Sequence, residues 1–209
     1  MGTSVSTVEH VMAALAGCGI NNAVLDVDGP EIPILDGSAL EFVRSFLKVG
    51  FINQNRPVRA LKILKKVEVH ENGAYAALEP CSGMKMDFMI DFSDAAIGRQ
   101  SKSLDLANGS FVNELSSSRT FCSHSDVDFM RSKGLALGGT LDNALVFDGE
   151  DVLSPGGLRH KDEPVRHKML DAMGDLALVG GPIIGRYVGR RSGHTVTNKL
   201  LQTLVSEDS

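Results

Sequence analysis

Residues 164–176, PVRHKMLDAMGDL, carry a line of polar side chains on an otherwise apolar segment. Two acidic residues precede Pro164, which suits the first helical position because no backbone N–H is needed there, so the segment predicts a helix. His167, Asp171 and Asp175 recur every four residues and therefore share one helix face. A histidine and two acids on a core-like helix must be paired, solvated or bound to a ligand.

Two interpretations of this polar face are open. An imidazole and a carboxylate four residues apart can both reach one metal ion at about 2.0–2.2 Å. Alternatively, Arg166 and Lys168 balance the acids along a solvated edge, which is the commoner case for an isolated His-x-x-x-Asp pattern. Similar polar residues on other apolar helices would favour the metal.

Composition is that of an ordinary globular protein. The 209 residues are 43% hydrophobic and 22% charged, enough for one large domain or two small ones. The net charge of -5 argues against nucleic acid as a partner. Cys18, Cys81 and Cys122 show no C-x-x-C spacing, and neither a signal peptide nor a span of about 20 apolar residues is visible. We expect a cytoplasmic protein with reduced thiols and no membrane-crossing segment.

The first helix, like residues 164–176, carries an acid and a histidine, Glu9 and His10, on an otherwise apolar segment. Residues 6–9, STVE, have the pattern of a capping box, in which Ser6 caps the helix and Glu9 reaches back to its N–H. Glu9 then has an ordinary structural role. His10 opens an apolar helix that we expect to end at Gly17, and it suits a satisfied core histidine as well as a ligand.

A polar, irregular segment at residues 51–56 is the predicted domain boundary, which divides the chain into domains at 1–56 and 57–209. Periodicity and turn residues predict the other elements. These are strands at 22–27, 58–70, 74–79, 85–92, 144–147 and 183–188, a polar loop at 95–109, and helices at 39–49, 125–131 and 195–205.

The first and last fifty residues share an order of elements: a helix with a histidine, a strand, a turn and a second helix. This weak repeat predicts two similar layered halves packed face to face, an α+β arrangement. His10 and His167 would then lie on corresponding helices, and their imidazoles could reach one ion.

Together these residues predict a metal-dependent hydrolytic site. Three protein ligands, His10, His167 and Asp171, would leave a fourth position for water, as in catalytic zinc sites. Glu9 would accept a proton from that water as general base, and His194, behind a Ser-Gly pair, would act as a cation or a proton donor. For His194, an ordinary helix-start residue in a loop is an equally good interpretation.

Further residues can assist, and each has a plain alternative. Asp175 could orient the imidazole of His194, and Thr120 could donate its hydroxyl to a developing oxyanion. For Lys168 and Arg191, a solvated surface charge is the commoner case and the favoured interpretation.

Several sequence blocks, which run nearly end to end, resemble the UDP-3-O-acyl-N-acetylglucosamine deacetylase family. The match consists of several long blocks in the same order, which makes it specific. The blocks are TVEH at 7–10, EIPILDGS at 31–38, SRTF at 118–121, GGTLDN at 138–143, VRHKMLDAMGDL at 165–176, SGH at 192–194 and NKLL at 198–201.

The resemblance implies a fold of two α/β domains, each a sheet layered with helices, with the metal between them. It implies one Zn2+ held by His10, His167 and Asp171, with Glu9 as base. The activity implied is removal of the N-acetyl group of UDP-3-O-acyl-N-acetylglucosamine, the committed step of lipid A synthesis in Gram-negative bacteria. The substrate's acyl chain would allow transient contact with a membrane surface, and we expect a monomer.

The resemblance also implies roles for individual residues. Thr120 would contact the oxyanion, His194 would be the charged partner with Asp175 behind it, and Lys168 would contact the phosphate or carbonyl region of the substrate. The remaining roles are the sugar site for Phe121, the uridine end for Asp87 and Phe88, the diphosphate for Arg191, and an acyl-passage insert around residues 122–140.

The chain departs from the family in three places. Family members begin well upstream with strands that complete the first sheet, so the first domain is expected to be incomplete, the chain N-terminally truncated, and an edge left open. Pro164 and Ser123 stand where the family has aromatic residues. Two alternatives follow: a non-catalytic truncated fragment that retains metal or nucleotide binding, and a different metal amidase on the same scaffold.

Overall fold

The computed structural model describes residues 3–127 and 140–207, which combine helices with two β-sheets. The predicted α+β class is confirmed. The helices described in full are α1 (Glu9–Gly17), α2 (Leu40–Val49), α3 (Glu163–Ala177) and α4 (His194–Glu207), with a π-helical turn at Phe111–Leu115. None of the helices in these ranges is both long and apolar enough to cross a bilayer.

Nine strands form the two sheets in the described ranges. They are β1 (Leu61–Lys62), β2 (Val67–Glu71), β3 (Ala74–Glu79), β4 (Met84–Asp91), β5 (Arg99–Asp105), β6 (Phe121–Ser123), β7 (Leu145–Asp148), β8 (Asp151–Val152) and β9 (Ile183–Arg190). The larger sheet has the order β2-β3-β9-β4-β5, with β1 also paired to β9, and the smaller has the order β6-β7-β8. The central strand β9 is antiparallel to β3 and parallel to β4.

One face of the larger sheet is covered by α3 and α4. Along β9 the side chains alternate: Tyr187 is fully buried, whereas Arg186 and Arg190 are exposed on the other face. Met169 of α3 and Leu200 of α4 are fully buried in the same core. The apolar side of α3 thus packs on the sheet. The polar face of α3 therefore lies towards another element.

That element is α1, which packs directly on α3. The contact is close because Gly174 has no side chain: a Cβ there would lie 2.1 Å from the backbone carbonyl oxygen of Glu9. Small residues let two helix backbones approach in this way. The approach sets Glu9 and His10 against the middle of α3.

Two predicted elements of the first domain are absent from the structure. Residues 22–27 form no strand and Val24 is 87% exposed, because no neighbouring strand in the described chain supplies the hydrogen bonds that a strand needs. The capping box is also absent: α1 has Val8 at its cap position, and no side chain caps it. The side chain of Glu9 is therefore not used as a cap partner.

The prediction of a polar loop at residues 95–109 is also wrong, because Arg99–Asp105 forms the edge strand β5. It pairs along its whole length with β4, from Arg99 opposite Asp91 to Asp105 opposite Lys85. Its sequence, RQSKSLD, has almost no apolar residues, so the alternation that marks a half-buried strand is missing. Backbone pairing with the longer strand β4 outweighs that lack.

The predicted boundary at residues 51–56 falls in a segment without helix or strand, and the division into two domains remains a prediction. Residues 125–127 of the predicted helix at 125–131 are helical, and its remainder falls in residues 128–139, which lie outside the described residues. Most of the insert predicted at 122–140 also lies outside the described residues.

Replacing Gly174 tests the α1–α3 contact. Gly174→Ala is expected to lower the free energy of unfolding by about 1–3 kcal/mol, because the new methyl group overlaps the backbone of Glu9. Alanine is the better helix former, so a loss of stability can only come from the contact. Denaturant unfolding measures it. Gly83→Ala, where a Cβ meets no atom within 4 Å, is the control, and equal stability of both variants would contradict the close approach.

Candidate active site

Three buried side chains meet where α1 crosses α3. A ligand atom from each of His10, His167 and Asp171 lies within 4.8 Å of the other two. Asp171 Oδ1 is 3.2 Å from Nε2 of His167 and 3.7 Å from Nε2 of His10, and the two imidazole rings stand edge to face with centroids 5.1 Å apart. The structure thus brings together the three residues predicted as metal ligands.

The hydrogen bonding of His167 indicates what the cluster can hold. Its Nδ1 lies 3.0 Å from the carbonyl oxygen of Ser118, which can only accept, so Nδ1 carries the proton. In the neutral ring, Nε2 then presents a lone pair towards Oδ1 of Asp171. Two lone pairs at this distance repel each other unless a proton or a metal ion lies between them. The donor set therefore fits a bound cation.

His10 is suited to the same task. Burial, followed by the neighbouring His167, lowers the pKa of His10 to about 4, so its ring is neutral at pH 7 and keeps a lone pair for coordination. Its Nδ1 is buried and has no hydrogen-bond partner among the described residues. A neutral imidazole with an available lone pair is a common form of metal ligand.

Asp171 supplies the negative charge of the cluster. Burial opposes its ionisation, but His167 and Lys168 outweigh burial and hold the pKa of Asp171 well below its usual value. Lys168 Nζ lies 2.7 Å from Oδ2 of Asp171, and this contact raises the pKa of Lys168 although burial acts against it. Both groups are charged at neutral pH, and Lys168 lines the cavity beside the cluster.

A second pair, His194 with Asp175, lies beside the cluster. Nδ1 of His194 is 2.9 Å from Oδ1 and 3.0 Å from Oδ2 of Asp175. This hydrogen bond raises the pKa of His194, partly opposed by burial. Asp175 is almost fully buried, whereas the side chain of His194 is 52% exposed. The pair therefore presents a readily protonated imidazole to the solvent side of the site.

The three clustered residues, Lys168 and His194 line one cavity of about 550 Å³. Besides the cluster, the predicted residues on its wall are Glu9, Thr120, Phe121, Lys168 and His194. Thr120 is held there by its backbone, since its N–H donates to Gly37 and its carbonyl accepts from Leu145. Eight of the twelve residues predicted for the site line this cavity. Asp175 does not line it but is hydrogen-bonded to His194, which does.

The other three predicted residues lie elsewhere. Asp87 faces the opposite side of the sheet, where its carboxylate pairs with Arg186. Phe88 is 3% exposed, with its ring stacked on Tyr187 at a centroid distance of 6.1 Å. Arg191 follows β9 and lines a separate depression on the outer face of the sheet. The structure does not bring them to the cavity.

Sequence reasoning missed part of the wall. Ile34 belongs to one of the blocks that carry the family resemblance, so that block held a usable signal. The contact of His167 with the backbone of Ser118 gave no signal in the sequence, because any residue can supply a carbonyl. The missed side chains are Ile34, Phe92, Ser93, Asp94 and Ile97, whereas the wall residues Cys122, Ser123, Ser125 and Asp126 fall in the insert predicted at 122–140.

Several known proteins are similar to this chain over nearly its whole length. A protein similar over 207 residues, from Pasteurella multocida, is 46% identical, and the match covers 98% of this chain and 68% of the relative. A relative from Neisseria meningitidis is 44% identical over 210 residues, 100% of this chain and 68% of its own length. One from Haemophilus influenzae is 45% identical over 207 residues, with 98% and 68% covered.

Each of these relatives is named UDP-3-O-acyl-N-acetylglucosamine deacetylase. The family model described as LpxC, UDP-3-O-acyl N-acetylglycosamine deacetylase, matches residues 1–206, nearly the whole chain. With a match of this extent and relatives of this identity, the chain belongs to the UDP-3-O-acyl N-acetylglycosamine deacetylase family.

Proposed function

We propose that this protein hydrolyses the N-acetyl group of UDP-3-O-acyl-N-acetylglucosamine to give UDP-3-O-acyl-glucosamine and acetate, as a step of lipid A synthesis in the cytoplasm of a Gram-negative bacterium. The observation that carries the proposal is the buried cluster of His10, His167 and Asp171 at the wall of a cavity that also holds Glu9 and His194. The names of the relatives supply the substrate. Three free cysteines fit a reducing compartment.

The cofactor we propose is a single Zn2+ held by His10, His167 and Asp171. Two imidazoles and one carboxylate, with the fourth side open to a cavity, match catalytic rather than structural zinc. When bound, such an ion polarises the amide carbonyl and lowers the pKa of water to about 7. Asp171 neutralises part of the ionic charge, and Ser118 holds the ring of His167 through Nδ1.

Glu9 is the proposed general base. Glu9 lines the cavity, is next in sequence to His10, and does not cap the start of α1 with its side chain. As water attacks the acetyl carbon, Glu9 accepts its proton while the new C–O bond forms. The C–N bond of the amide then breaks, and the amine leaves with a proton.

His194, Thr120 and Lys168 stabilise the charge that develops on the amide oxygen. Asp175 favours the imidazolium form of His194, which can also protonate the departing amine. The hydroxyl of Thr120 and the ammonium group of Lys168 are further donors on the same wall. Asp175 holds His194 and Asp171 holds Lys168 before substrate binds, which is the condition for electrostatic catalysis.

Part of the cavity wall is apolar and suits the sugar and acyl portions of the substrate. Phe121 lies with its ring centroid 6.2 Å from that of His167 and 5.3 Å from that of Phe92. Ile34 and Ile97 continue this surface. We assign Phe121 to the sugar site, and we leave Asp87, Phe88 and Arg191 out of the binding site because none of them lines the cavity.

Metal dependence is the direct test of the function. The purified chain is expected to release acetate from UDP-3-O-acyl-N-acetylglucosamine, to lose turnover on chelation and to regain it with Zn2+. His167→Ala should lower the metal content measured on the same sample, because one of three ligands is lost. His70→Ala, on the exposed outer face of the sheet, is the control. Zinc bound without turnover would favour a non-catalytic fragment, and full zinc content in His167→Ala would refute the ligand set.

Replacing Glu9 separates proton transfer from metal binding. Glu9→Ala is expected to lower kcat by roughly 10²–10⁴-fold, the usual contribution of a general base, while the zinc content stays unchanged. Steady-state kinetics and metal analysis on one preparation measure both. Glu150→Ala, at an exposed position, serves as the control. Wild-type turnover in Glu9→Ala would remove Glu9 from the mechanism.

The pair of His194 and Asp175 predicts the pH profile. Because the proposed role needs protonated His194, activity should fall as pH rises through the pKa of His194. Asp175→Asn removes the main cause that raises this pKa, so the alkaline limb of kcat/KM should move to lower pH. A profile with an unmoved alkaline limb would show that His194 does not act as the cation.

A further inference from the structure

We propose that Glu163 and Arg119, which lie outside the cavity, are positioning residues for the metal centre. This inference rests on the proposed metal site and concerns how its ligand His167 is held. Glu163 stands in the first turn of α3, four residues before His167, and Arg119 is next in sequence to Ser118. The pair acts on His167 through the peptide group between Ser118 and Arg119.

The ion pair is buried and its hydrogen bonding is nearly complete. Glu163 is 0% exposed and Arg119 is 6% exposed. Oε1 of Glu163 accepts from both the backbone N–H and Nε of Arg119, each at 3.0 Å, and Oε2 accepts from Nη2 at 3.3 Å and from the backbone N–H of Arg159. Nη2 of Arg119 also donates to the carbonyl oxygen of Gly157 at 2.6 Å. A carboxylate bound on both oxygens has no freedom to turn.

The peptide group between Ser118 and Arg119 links this pair to the metal centre. Its N–H donates to Glu163, and its carbonyl oxygen accepts from Nδ1 of His167. One planar unit is therefore held between a carboxylate and an imidazole from successive turns of α3. As long as Glu163 holds the N–H, the peptide plane cannot rotate and the carbonyl stays aimed at His167.

This arrangement determines which nitrogen of His167 is available. With the carbonyl of Ser118 in place, Nδ1 carries the proton and Nε2 keeps its lone pair towards Asp171. If the peptide turned, the ring would lose its acceptor and could carry its proton on Nε2 instead, where a proton blocks coordination. The charged acceptor on the N–H side also polarises the peptide and strengthens its carbonyl as an acceptor. Partners of this outer kind orient metal ligands.

The neighbouring residue Asp162 provides a matched control. It is also an acid at the start of α3, and its carboxylate pairs with Nε of Arg166 at 2.6 Å and with Nζ of Lys102 at 3.2 Å. Neither of those partners shares a hydrogen bond with residues 118–120 in the described structure. Asp162→Asn therefore removes a helix-start charge without touching the peptide that holds His167.

The experiment compares metal binding by the wild-type chain, Glu163→Gln and Asp162→Asn. Glutamine keeps the size of glutamate but places N–H donors against Arg119. The affinity for Zn2+, measured by competition with a chelator, should fall about 10–100-fold in Glu163→Gln. It should stay within about twofold of wild type in Asp162→Asn. The visible spectrum of bound Co2+, which reports ligand geometry, should change only in Glu163→Gln, and far-UV circular dichroism checks that all three chains are folded.

Each outcome decides the proposal. A folded Glu163→Gln with wild-type Zn2+ affinity and Co2+ spectrum would overturn it. If Glu163→Gln does not fold, Arg119→Lys, which keeps the charge but loses the guanidinium fork, is measured in its place against the same expectation. Failure of both variants to fold would also overturn it, since the pair would then stabilise the fold rather than the site. Absence of Zn2+ binding in the wild-type chain would instead refute the metal centre itself.

Discussion

The close contact of α1 with α3 at Gly174 is the constraint on which the site depends. A side chain at this position would overlap the backbone of Glu9, so the two helices can meet only across a glycine. The contact places His10 one residue from the crossing point and against His167, with Asp171 between them. Three ligand atoms from two distant parts of the chain converge because two backbones approach there.

The cluster illustrates a conflict between stability and function. An ionised carboxylate buried beside two imidazoles costs free energy unless a cation balances it. Lys168 supplies part of that balance through Oδ2 of Asp171, and Oδ1 is left to the imidazoles. The fold thus leaves a buried position between Oδ1 and the imidazoles where the negative charge is only partly balanced. A divalent ion fits this position in charge and in coordination. Burial, which makes the position costly, also keeps His10 unprotonated and ready to coordinate.

Sequence patterns predicted the helices well and the marginal strands poorly. The polar line on α3 was correctly taken as one helix face, because residues four apart share a face in any α-helix. The strand β5 was missed because its pairing with β4 comes from backbone groups that no side-chain pattern displays. The strand expected at residues 22–27 has the right alternation, but no partner strand in the described part of the chain. Strand formation is a property of pairs, so a single segment cannot settle it.

The sequence by itself determined the chemical groups of the site, because the proposed metal ligands and general base need particular atoms, which His10, Glu9, His167 and Asp171 carry. Only the tertiary structure decided which groups share the cavity. Asp87 and Phe88 are adjacent in the chain, yet they point to opposite faces of the sheet, as alternate residues of a strand must. Backbone contacts such as that of Ser118 with His167 depend on where a carbonyl points, and chain packing alone sets that direction.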